Sequence, residues 1–139
     1  MIFDKSFSSI PRNAPCIVCE ENHQKYVANN PRRSIVYQFR IDGVIITDMT
    51  QKRCDYLVEN ETTRHVYLVE LKGSDLGAAF MQINSTIDYL SVELNSYTLH
   101  ARIVCAKVSA PRVNDSRYRQ LKRNCSDIRY HSRHLEETI

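Results

Sequence analysis

Asp55, Glu70 and Lys72 are the residues of this 139-residue chain whose types and spacing point to chemistry. They lie in CDYLVENETTRHVYLVELKG, residues 54–73, which reads as two strands of β-branched and aromatic residues joined by a turn, ENETTR. A turn centred on Thr62 and Thr63 sets Asp55 opposite Glu70 on the neighbouring antiparallel strand, with both side chains on one face. Lys72, two residues past Glu70, shares that face because side chains alternate along a strand. Carboxylates facing each other with Cβ atoms about 5 Å apart repel, and a hard divalent cation between them resolves the conflict. Mg²⁺ is commonly held by one or two carboxylates together with substrate phosphate oxygens and waters. A neighbouring ammonium orients or helps to deprotonate an attacking water. The expected chemistry is phosphodiester cleavage, with Mg²⁺ or Mn²⁺ as cofactor.

Asp55 on one strand, then Glu70, Leu71 and Lys72 at the end of an apolar strand that leads into a helix, resemble the PD-(D/E)XK nuclease superfamily. Its pattern is an Asp on one strand and Glu-x-Lys on the next. The resemblance implies an α/β fold, a mixed central β-sheet flanked by helices in a restriction-endonuclease-like αβββαβ core. It implies Asp55 and Glu70 as metal ligands, the Leu71 carbonyl as an additional ligand, and Lys72 as the catalytic lysine. It also implies an acidic ligand, Glu20 or Glu21, from a helix preceding the sheet. Cys54 stands where the family name has Pro, and the Gln-x-x-x-Tyr signature of the exonuclease branch is absent, since Gln82 is followed at that spacing by Thr86 and Tyr89 comes three residues later. An endonuclease acting on DNA is therefore the expectation. Gln82 is a further catalytic candidate, within reach of a phosphate or a base.

The elements that must position these residues follow from periodicity. Residues 1–15, with Pro11 and Pro15, read as an irregular arm, and CIVCEENHQKYVANN, 16–30, as a helix that stops before Pro31 with poorly periodic apolar residues. SIVYQFRI, 34–41, alternates as a strand; Asp42 and Gly43 signal a turn, and VIITDM follows as a second β-rich run. After Lys72, Leu76, Phe80, Ile83, Ile87, Leu90 and Leu94 recur every three or four residues, the strongest helix signal in the chain, with Ser74 or Asp75 available as its cap. YTLHARIVCAKVS, 97–109, reads as a strand returning parallel to HVYLVELK by a right-handed crossover, which makes the sheet mixed. NDSRYRQLKRN then reads as a short helix and DIRYHSRHL as a strand.

Charge is unevenly spread: residues 1–100 sum to −2 and residues 101–139 to +5. Arg117, Arg119, Lys122 and Arg123 on the short helix, with Arg129 and Arg133 sharing a face with His131 on the last strand, form a candidate nucleic-acid track. The solvated side of an edge strand is an equal reading of the strand residues. Length and composition suit one domain spanning 1–139. No apolar run approaches a membrane span of roughly 20 residues. The start lacks a secretory signal, and five irregularly spaced cysteines fit a reducing compartment, so the expected location is cytoplasmic. Cys16 and Cys19 with His131 and His134 make a weak zinc pattern, since no glycine supports a knuckle turn. Cutting both strands of a duplex with one site per chain would require a homodimer. The competing class is a non-catalytic nucleic-acid-binding or protein-interaction module on a nuclease-like fold.

Overall fold

The computed structural model describes residues 1–71, 75–108 and 114–139. Its elements run β1 (Cys16–Glu21), β2 (Gln24–Asn29), β3 (Val36–Arg40), β4 (Tyr56–Asn60), β5 (His65–Glu70), α1 (Leu76–Tyr89), α2 (Ser91–Leu94), β6 (Thr98–Cys105), α3 (Ser116–Asn124), β7 (Asp127–Ser132) and β8 (His134–Thr138). The chain is mixed α/β with two mixed sheets. Strands β3, β4 and β5 form an antiparallel meander, to which β6 and then β7 add in parallel, giving the order β3-β4-β5-β6-β7. Parallel neighbours need crossovers; α1 with α2 makes the first and α3 lies within the second.

Packing explains why the central strands are apolar on both sides. Leu57, Val66, Leu68, Ala101 and Ile103 pack against Leu76, Phe80, Ile83 and Ile87 of α1 and Leu121 of α3. The opposite face, including Val58, Tyr67, Val69 and Val104, packs against Ile17, Cys19, Tyr26, Ala28 and Leu135 of a three-stranded sheet ordered β1-β2-β8. Helices therefore cover one face of the central sheet and a second sheet covers the other, where helices on both sides were expected. Strand β8 pairs in parallel with β2, an association across more than 100 residues of sequence that no local pattern announces.

Three local expectations are corrected. Residues 16–30 form the β1–β2 hairpin in place of a helix. Ile17 and Cys19 point inward while Cys16, Val18 and Glu20 are exposed, and Asn22 (φ 52°) and His23 (φ 66°) both take the left-handed conformation that a two-residue hairpin turn requires. The helix expected before the sheet is therefore a strand. The run 44–49 is not a strand, because Arg53 closes the loop on itself by donating to Asp42 Oδ1 (2.8 Å) and to the carbonyls of Asp48 (3.1 Å) and Gln51 (2.8 Å). Arg133 (φ 64°) sits at the corner between β7 and β8, not on the β7 face with Arg129. The long helix breaks at Leu90, and Asp75 is its cap, accepting from the Ala78 N–H at 3.1 Å.

Candidate functional site

The β4–β5 register pairs Asn60 with His65 and Tyr56 with Val69, and its continuation brings Asp55 to the end of β5 at Glu70. There the Asp55 N–H donates to the Val69 carbonyl (3.1 Å), and Asp55 Oδ2 accepts from the Leu71 N–H (2.8 Å). Both acids are wholly buried. Burial pushes up the Cys54 thiol, and the charges of Glu70 and Asp55 push it further, so both carboxylates act on one point of the interior. Burial also raises the Cys105 thiol, with Glu70 adding to it, and raises Cys19 to about 12, with Asp55 adding to it. Segment 54–55 is fixed to α1 by the Cys54 N–H donating to Thr86 Oγ1 (2.8 Å), while Thr86 Oγ1 donates to the Gln82 carbonyl (2.8 Å).

Of the two N-terminal acids, Glu20 is on the outward face of β1 and pairs with Lys25 at 3.5 Å, away from the carboxylates. Glu21 is on the inward side, 3.8 Å from Arg40, and its charge reaches Tyr56, the neighbour of Asp55. The Leu71 side chain packs in the core between the two sheets, and its N–H is spent on Asp55. Gln82 lines a groove of about 200 Å³ with Asp42, Met49, Thr50, Gln51, Lys52 and Arg53, beside the segment leading to Asp55. Lys72 lies outside the described residues.

Mg²⁺ or Mn²⁺ is commonly held by one or two carboxylates together with water or substrate oxygens, whereas a structural zinc site takes four protein ligands. Among the described residues, no group of three or more His, Cys, Asp or Glu side chains could hold a metal ion. Cys16 and Cys19 lie on opposite faces of β1, one exposed and one buried.

The basic residues divide into engaged and exposed sets. Arg117 forks onto Asp115 (Nε to Oδ1 3.1 Å, Nη2 to Oδ2 2.9 Å) and lies against Gly77 in the first turn of α1, where a larger residue would displace it. Arg129 faces Glu137 (3.5 Å) and Asp127 (3.9 Å). Arg119, Lys122 and Arg123 are exposed and share one side of α3.

A polar cluster that the sequence reading missed joins the two sheets. Arg102, 2% exposed, is bound by Asp127 (Nη1 to Oδ1 2.8 Å) and by Glu137 (Nε to Oε2 2.5 Å), and Tyr26 donates to Glu137 (2.7 Å). Its signal was an arginine between Ala101 and Ile103 in the apolar strand LHARIVC, where a charge must be paired to be tolerated.

No protein-family model matches the chain, and neither a curated protein nor a solved structure shows a significant match to it.

Proposed function

We propose that the protein is a Mg²⁺- or Mn²⁺-dependent nuclease that hydrolyses phosphodiester bonds in DNA as an endonuclease. The observation that carries this reading is the buried acidic pair, Asp55 and Glu70, brought together at the ends of adjacent strands, with Lys72 two residues further along the chain. The succession β3-β4-β5-α1-β6, a meander followed by a helix and a parallel strand, supports the βββαβ part of a restriction-endonuclease-like core. The leading helix of that core is replaced here by the β1–β2 hairpin.

Asp55 and Glu70 would hold the ion, with the Leu71 carbonyl as an additional ligand and Glu21 nearest among the remaining acids. The Leu71 N–H holds one Asp55 oxygen in place. When bound, the ion supplies charge stabilisation at the phosphoryl oxygens. Lys72 orients the attacking water and favours its deprotonation. Arg119, Lys122 and Arg123 attract the nucleic-acid backbone, and the groove beside Gln82 receives the flanking strand.

The complete burial of both carboxylates favours a second reading, a non-catalytic nucleic-acid-binding module on the same scaffold. Incubation of supercoiled plasmid with the purified chain and Mg²⁺ or Mn²⁺ separates the two. A nuclease nicks the plasmid, stops in EDTA, and loses cutting but not folding in Glu70→Gln and Lys72→Ala. Linear product rising with protein concentration marks a homodimeric cutter. Intact plasmid, branched DNA and RNA with both metals would leave the binding module as the reading.

A further inference from the structure

At the end of β5 remote from Glu70, three side chains that take no part in the proposed reaction form a hydrogen-bonded chain. His65 Nδ1 lies 2.8 Å from His100 Nε2, and His100 Nδ1 lies 2.6 Å from Asp127 Oδ1. The imidazoles are nearly parallel (16°), and the other side of the contact is closed by Tyr67, whose ring is 4.7 Å from that of His100. His100 is 8% exposed and anchored to Asp127, whereas His65 is half-buried and reaches solvent.

The hydrogen count in this chain is limited. Asp127 also accepts from Arg102 and is a carboxylate, so His100 Nδ1 carries a hydrogen and donates to it. With both rings neutral, the hydrogen in the gap then belongs to His65 Nδ1, which donates to the bare His100 Nε2. A first extra proton fits, because it enters at His65 Nε2; the gap hydrogen can then sit on either nitrogen, and Asp127 balances the charge. A second would place two N–H groups head to head across 2.8 Å, which the gap cannot hold. We propose that His65, His100 and Asp127 form a one-proton relay, an acid-released pin that ties the turn end of the β4–β5 hairpin to β6 and β7.

The surrounding charges act in the same sense. Tyr67 on β5 stacks on His100, and Asp127 on β7 accepts from it and from Arg102 on β6; beyond them Glu137 on β8 binds Arg102, Arg129 and Tyr26, while Arg64 in the preceding turn lies over Tyr97. Asp127 favours the first proton; the charged partner ring opposes the second. Burial and the neighbouring His100 lower the His65 pKa, against the pull of Asp127. When the second proton enters, His65 is the residue that leaves, because His100 stays anchored to Asp127.

Imidazole nitrogen chemical shifts of the intact chain, followed from pH 8 to pH 4.5, test the relay. The imidazole pair should take up its protons in two linked steps separated by more than about one unit, and amide exchange at residues 61–65, corrected for its intrinsic pH dependence, should rise by about tenfold across the second step. In His65→Ala, the linked steps and the exchange change should both vanish. Single, independent titrations of both rings in the wild-type chain, or exchange in the turn indifferent to pH, would overturn the proposal. Neither wild-type measurement depends on a variant that folds.

Discussion

Among the described residues, Arg102 bears the largest concentration of polar contact. Its guanidinium is satisfied by two carboxylates from different strands and sits 5.5 Å from the Tyr67 ring centre. Burial alone would lower its pKa, but its hydrogen bonds to Glu137 and Asp127 outweigh this and raise it, so the charge is permanent. Removing one member of a buried ionic cluster strands the rest. Arg102→Met should therefore lower unfolding stability by roughly 3–5 kcal/mol, measured by urea denaturation. Arg102→Lys should recover little of it, because an ammonium cannot fork onto both carboxylates.

Among the elements, the β1–β2 hairpin and the loop 41–53 show how side chains override local pattern. Residues 16–30 carry a mixture that suits neither helix nor strand by periodicity, and the decision falls to Ile17 and Cys19, which the central sheet draws inward. The turn bears two non-glycine residues at positive φ, Asn22 and His23. Asn tolerates that conformation better than His does, so His23→Gly should stabilise the chain by up to about 1 kcal/mol, visible as a higher melting temperature with an unchanged fold. In the loop, Arg53 recruits carbonyls that a strand would have used in a ladder. Helix α1 follows its sequence closely, since its cap and its stripe of apolar residues agree with each other.

For the molecule as a whole, the joint between the two sheets makes stability depend on pH. Below the ordinary His value of 6.5, the unfolded chain takes up a proton that folded His65, with its lowered pKa, resists. Stability therefore falls as pH drops through that region. Burial pushes the Asp127 carboxyl up, but the hydrogen bonds from Arg102 and His100 outweigh it and hold the group at about 2 against an ordinary 3.8. Its contribution is complete above the ordinary value and is lost as pH falls toward 2. Melting curves should show two acid-side losses, the first absent in His65→Ala and the second in Asp127→Asn. No helix among the described residues is long and apolar enough to cross a membrane.

Sequence by itself determined what neighbouring residues settle among themselves. The β4–β5 register follows from a turn of known length, the helix α1 from a regular apolar stripe, and the parallel return of β6 from the length of the crossover. Together these bring Asp55 to Glu70. Tertiary structure decided the rest, because it depends on residues far apart in the chain. Pairing of β8 with β2 builds the second sheet, and that sheet turns Glu20 to solvent and Glu21 toward Arg40. The positive charge of the tail is legible in composition. Which arginines remain available is not, because Arg129 meets Glu137 only once β7 and β8 have formed, although Arg117 takes Asp115 two residues before it.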